Sequence, residues 1–329
     1  MNTADRSSDK HIQRKGTVTE MTKSEFRIPY TGGSLHCVTW APDTAPVATL
    51  QIVHGMIEYA KRYEETAVYL AQRGFAVTAH DHPGHGLTAK NDAELGYIPR
   101  KGGSELMVEC VRLVTDYIEK TYPSAPHFIL GHSMGSFITR RYLTKYGDRV
   151  DGAVIVGTGN QNRATLAAGR AAVKLISIFK GDRYRSPLLT GLAFGSYNKR
   201  CEKDEGPNAW ICSDRELMKK HDGDKYATFM FTAAGYGVLF DTLTYLAKKT
   251  DFDKIPKNLP VLVMAGTEDP VGAYGKEPAA FAKQCLDAGI KDVDLKLYEG
   301  DRHEVLNEKD KERVWEDLFV WLKAHMSSL

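Results

Sequence analysis

The chain has 329 residues, 42% of them hydrophobic and 26% charged, with 44 Lys and Arg set against 42 Asp and Glu. That suffices for one large globular domain with an insertion, and a net charge of +2 excludes a global field directed at nucleic acid. Five cysteines (Cys37, Cys110, Cys201, Cys212, Cys285) lie far apart with no CxxC pair, which excludes a disulfide scaffold and suits a reducing, cytoplasmic setting.

Residues 1–23 are polar and mixed in charge, without the apolar core of a secretory signal, and read as a disordered leader. No run approaches the about 18 apolar residues that span a bilayer. Short apolar runs then alternate with amphipathic stretches. Strands are expected at 35–40, 48–53, 75–80, 127–130, 152–156, 260–265 and 294–298, and helices at 62–74, 104–123 and 311–325. Strand-helix alternation implies crossover connections, so the fold class is α/β: a mostly parallel sheet with helices on both faces. The rhythm breaks over 160–248, where helical patches alternate with Gly and Pro. Nine Lys and Arg there (163–203) face only Asp182 and Glu202. This segment reads as a helical lid inserted between core segments 24–159 and 249–329.

In such sheets ligands sit beyond the carboxyl ends of the strands, so post-strand residues are the ones to inspect. Residues 79–86, AHDHPGHG, follow a strand and bring His80, His82 and His85 together. Three close imidazoles can hold zinc, but where some zinc hydrolases have an aspartate this chain has Gly84. The alternative is a tight Pro-Gly turn. After 127–130 comes Gly131-His132-Ser133-Met134-Gly135, the G-x-S-x-G pattern of a strand-to-helix turn that lifts a serine above a sheet.

A serine needs a base and an acid to orient that base, in the order Ser, Asp/Glu, His for this fold class. His303 follows the strand at 294–298 and is the expected base. Asp269 follows the strand at 260–265 and is the expected acid, with Glu268 as its rival. Oxyanion amides are expected from Met134, next after the serine, and from Met56 behind His54-Gly55.

Taken together, HGMIEYAKRY (54–63), DHPGHG (81–86), GHSMG (131–135), GTEDPVG (266–272) and GDRHEVLNE (300–308) resemble the monoacylglycerol lipase/lysophospholipase branch of the α/β-hydrolases from about residue 24 onward. The resemblance implies the α/β-hydrolase fold and a triad of Ser133, Asp269 and His303. It also implies oxyanion amides at Met56 and Met134, with His54, Gly55 and His132 in support. It implies no metal at 81–86, where the histidines should make structural hydrogen bonds, and no cofactor. The chain departs from the family at Ile57, Tyr59 and Pro83, which bears on pocket shape.

The function expected is therefore a serine esterase acting through an acyl-enzyme on a small lipid or ester substrate. A short-chain carboxylesterase or a peptidase of the same fold, and from other classes a non-catalytic binding protein or a zinc hydrolase, are the alternatives. The lid's apolar residues (Leu166, Val173, Leu175, Ile176, Ile178, Phe179, Leu188, Leu189, Phe194) are expected to roof an acyl chain, while its basic side transiently meets an anionic membrane surface. Cys201 and Cys212 are expected to be buried lid thiols.

Overall fold

In a computed structural model the chain is described over residues 20–326, and the leader expected at 1–23 lies outside them up to residue 19. From Met21 the chain is already strand. Eight strands form one sheet: β1 (Met21–Tyr30), β2 (Gly33–Pro42), β3 (Ala48–Val53), β4 (Phe75–His80), β5 (His127–His132), β6 (Gly152–Val156), β7 (Val261–Gly266) and β8 (Val293–Tyr298), in the order β1-β2-β4-β3-β5-β6-β7-β8. β1 and β2 pair antiparallel with each other, and β2 with β4; every other pairing is parallel. Mainly apolar runs are the reason. Every residue of β3 to β7 is buried, as a parallel sheet with two covered faces requires.

Alternate residues feed two cores. Val53, Ile129, Ile155 and Val263 point to one side, against α2 (Gly103–Thr121), α3 (Met134–Tyr146) and α8 (Lys276–Asp287). Leu50, Ile52, Leu130, Val154 and Leu262 point to the other, against α1 (Glu64–Ala71) and α9 (Lys311–Met326), which contribute Ala67, Leu70, Val314, Leu318 and Leu322.

The segment between β6 and β7 carries α4 (Arg163–Lys180), α5 (Pro187–Phe194), α6 (Arg215–Asp222) and α7 (Ala233–Leu246), with no strand among them. The four do not form one layer. α7 is seated on the sheet's own helices: Tyr236 and Val238 join the core formed by Met107, Val108 and Ile138. α4 lies outside α7, with Gly169 fitted against the Phe240 ring. The apolar residues expected to roof a ligand together divide accordingly. Val173 and Leu189 are buried, whereas Leu175, Ile178, Phe179 and Leu188 face outward, Phe179 with 78% of its surface exposed. Among the described residues no helix is long and apolar enough to cross a membrane.

The turn from β5 into α3 is the tightest contact in the fold. A Cβ on Gly135 would lie 1.9 Å from the Val53 carbonyl oxygen, and one on Gly131 would lie 2.3 Å from Thr139 Oγ1. Only glycine lets α3 start directly beneath the end of β3. Replacing Gly135 by Ala should cost about 3 kcal/mol or more of unfolding free energy in urea, because the contact is with fixed backbone. Gly191→Ala in α5, where the added Cβ meets nothing within 4 Å, is the control and should be neutral or slightly stabilising.

Candidate active site

Four post-strand loops meet at the carboxyl edge of the sheet. Ser133 follows β5 in the strained conformation φ 52°, ψ −120°, a left-handed geometry that non-glycine residues adopt only when the surroundings impose it. Asp269 follows β7 and is fully buried, and its Oδ1 accepts from Val271 N at 2.8 Å. His303 follows β8, 3% exposed, with Nδ1 3.0 Å from Asp269 Oδ2. The approach is off the line of an ideal hydrogen bond, so the two stand as a close contact whose alignment is left to the reacting state. Glu268, the rival, points to the surface and meets Arg200 Nη1 at 3.2 Å.

Met134 is the first residue of α3, so its N–H is one of those a helix leaves without an intrahelical acceptor. Met56 sits opposite in the loop after β3, and Met56, Ser133 and Met134 border one cavity. His54 is fully buried behind this loop. Its Nε2 accepts from His82 N at 3.0 Å, and its Nδ1 lies 2.8 Å from the Gly55 carbonyl.

Sequence reasoning gave no role to the residues that join these loops. Glu58 Oε1 accepts from Gly55 N, from Tyr63 OH at 3.0 Å, and lies 2.9 Å from His132 Nδ1. Glu58 Oε2 is 3.7 Å from Arg62 Nε, and Arg62 Nη2 donates to both oxygens of Glu304, at 2.8 and 2.6 Å. Burial alone would lower the His132 imidazole, but the charge of Glu58 and its hydrogen bond outweigh that and raise it. Burial works against the Glu304 carboxylate too, and Arg62 holds it well below the usual range. Arg62 and Glu304 both lie in quoted motifs; their partnership is invisible along the chain because 241 positions separate them.

Trp210, from the segment between β6 and β7, was likewise missed. Its ring lies 5.1 Å from that of His303, and its carbonyl and that of Ile211 accept from His303 N and Glu304 N. In the same loop the Cys212 thiol is buried and donates to Asn307 O at 3.3 Å, whereas Cys201 is only partly buried.

The cluster at 80–85 is a packed turn. Asp81 organises it, lying 2.9 Å from His36 Nδ1 and accepting from Ala60 N and Leu87 N. The His82 and His85 rings make backbone contacts, to His54 O and Pro83 O. His80 departs from expectation: neither ring nitrogen has a partner among the described residues. The nitrogens of this cluster do not converge on one point. Among the described residues the only group of three or more potential ligand atoms within 4.8 Å of one another is Asp292, Asp294 and His325, largely exposed and far along the chain.

Two cavities open at Ser133. One, of about 420 Å³, is bordered by Glu58, His132, His221, His303 and Glu304. The other, of about 380 Å³, runs under α4 and α7 between Phe137, Leu166, Phe194, Leu239, Phe240 and Leu243.

Residues 44–310 match the family described as serine aminopeptidase, S33. Human monoglyceride lipase is 37% identical over 308 residues, covering 90% of this chain and 89% of that protein. The chain belongs to the monoglyceride-lipase branch of the α/β-hydrolases. A monoacylglycerol lipase of Mycolicibacterium smegmatis is 26% identical over 93% of this chain and 99% of its own length. A thermostable carboxyl esterase from Bacillus coagulans, solved with glycerol bound, superposes with a TM-score of 0.85 at 25% identity over 93% of this chain and 100% of that one. A soluble variant of the Saccharomyces cerevisiae monoglyceride lipase, at 19% identity and a TM-score of 0.73, shares the fold over 94% of this chain and 97% of its own. The protein is an ester hydrolase of this family.

Burial holds the imidazoles of His80 and His85 down at about 4. Unfolded, each takes up a proton near 6.5. Between pH 6.5 and 4 the unfolded chain binds more protons, so stability must fall as pH falls through that window. Asp301, raised by burial to about 7, works with the opposite sign, so the diagnostic is a difference. His80→Leu should match the wild type in urea unfolding near pH 8 and exceed it progressively from pH 6.5 to 4.5. Parallel stability curves would show that His80 carries no such cost.

Proposed function

We propose that the protein cleaves carboxylic esters of glycerol or a similar polar alcohol with a long acyl chain, through an acyl-enzyme on Ser133. The observation that carries this reading is the meeting of two cavities at that serine, one bounded chiefly by apolar side chains and one whose partly apolar wall also carries Glu58, Asn208, His221, Thr228 and Glu304. An acyl chain lies in the first, which removes its methylenes from water, each contributing about 0.8 kcal/mol. The hydroxyls of the alcohol lie in the second, where Asn208, His221 and Thr228 also border the space.

Ser133 Oγ attacks the ester carbonyl while His303 Nε2 takes its proton, and Asp269 balances the imidazolium. The amides of Met56 and Met134 stabilise the oxyanion. His303 protonates the departing alkoxide, then activates the water that releases the fatty acid. The residues at 160–248 act as the lid over this site, in a reading supported by Trp210 lying against His303.

A peptidase reading has less support. An aminopeptidase needs a free carboxylate for the substrate ammonium, and Glu58 and Glu304 are committed to His132 and Arg62. The reading includes a reducing compartment, supported by five unpaired thiols. It also includes transient contact with anionic membranes, supported by exposed Leu175, Ile178 and Phe179 beside exposed Lys174 and Lys180.

A hydrolysis panel of monoacylglycerols, p-nitrophenyl esters of graded length, lysophospholipids and aminoacyl amides tests the assignment. Long-chain monoacylglycerols should lead, and Ser133→Ala should lower kcat at least about 10³-fold. Faster cleavage of the amides, or of acetyl esters, would overturn the substrate class.

A further inference from the structure

Arg140 lies on α3, 1% exposed, and among the described residues no carboxylate forms an ion pair with it, Glu277 acting only at longer range. Its partners are neutral: Nη1 donates to Thr158 Oγ1 at 3.2 Å and Gly159 O at 3.0 Å, and Nη2 to Asn160 Oδ1 at 2.8 Å. The Phe281 ring covers one face at 4.3 Å. Nε is buried and has no partner among the described residues. Burial presses the guanidinium down to about 10, and the distant attraction of Glu277 offsets only part of that.

Arg140 borders a cavity of about 650 Å³ that is separate from the two at Ser133, although Gly159, Gln161 and Leu243 form a shared wall with the apolar one. Across it stands the start of α4, an 18-residue helix whose N-cap, Asn162, accepts from Thr165 N at 2.8 Å. The N–H groups of such a first turn favour an anion. Arg163 also borders the cavity. So do Lys283 and Asp287, which neutralise one another at 2.7 Å, and the exposed Asp253.

We propose that this cavity is a binding site for a small oxyanion, a phosphate or phosphate monoester group, received by Arg140 with Arg163 and the first turn of α4. A tetrahedral anion takes hydrogen bonds from a guanidinium and a helix terminus at once. A bound anion would join α3, in the core, to α4, in the inserted segment. The site owes nothing to Ser133 or to the ester substrate, so it stands apart from the catalytic reading.

Thermal unfolding of the full chain in inorganic phosphate, against sodium chloride of equal ionic strength, tests it. Phosphate at about five times its dissociation constant should raise Tm by about 1–2 °C. Arg140→Met, which removes the charge at similar volume, should abolish the rise, and Arg163→Gln should weaken it should the first variant fail to fold. Prior labelling of the active-site serine with a fluorophosphonate should leave the rise intact. Sodium acetate in a parallel arm separates phosphate from carboxylate, and a larger response to acetate would overturn the assigned class. No rise in the wild type, an equal rise in both variants, or loss of the rise on serine labelling would each overturn the site.

Discussion

One buried carboxylate holds the candidate active site together. Glu58 receives the amide of Gly55, the hydroxyl of Tyr63 and the ring of His132, and stands beside Arg62, which grips Glu304 next to His303. The loop after β3, the serine turn and the histidine loop come from three distant parts of the chain. Nothing in their local conformations would keep them in register. Because these charges are out of water, removal of any one leaves a partner uncompensated, at a cost of about 3–5 kcal/mol. The arrangement is therefore nearly all-or-none, which suits a site that must hold donors and nucleophile within tenths of an ångström.

That hub rests in turn on the sheet. Gly135 lets α3 begin against the end of β3, and the strained Ser133 backbone persists because β5 and α3 fix both sides of it. The cluster behind the loop after β3 serves the same end by packing. Neutral rings of His54, His80, His82 and His85 fill the space, with His54 and His82 only 4.0 Å apart. They support the loop at neutral pH at the expense of acid tolerance.

The sequence was most legible where burial is complete on both faces. β3, β4 and β6 match their expected spans residue for residue, since short, mainly apolar runs suit strands buried on both faces of a parallel sheet. Ser133, Asp269 and His303 stand out as candidates in the sequence because each follows a strand of the sheet, β5, β7 and β8. β1 escaped because it is an edge strand, largely exposed and broken by Thr22, Lys23, Ser24, Glu25 and Arg27, and its partner β2 carries the apolar signal. α8 escaped because Pro278, tolerable in the first turn, and a mixed pattern hide its buried face of Phe281, Ala282 and Cys285. Leu166 and Phe179 look alike in a sequence, yet one borders the apolar cavity at Ser133 and the other faces outward. The Glu58–Arg62–Glu304 chain was out of reach, because pairing across the fold leaves no periodic trace.

The most direct measurement is the mass and position of a covalent adduct. The intact protein treated with a fluorophosphonate should gain one equivalent, mapped to the peptide containing Ser133, with labelling slowed by orders of magnitude in His303→Ala. An adduct on another residue, or a labelling rate indifferent to loss of the imidazole, would contradict the account.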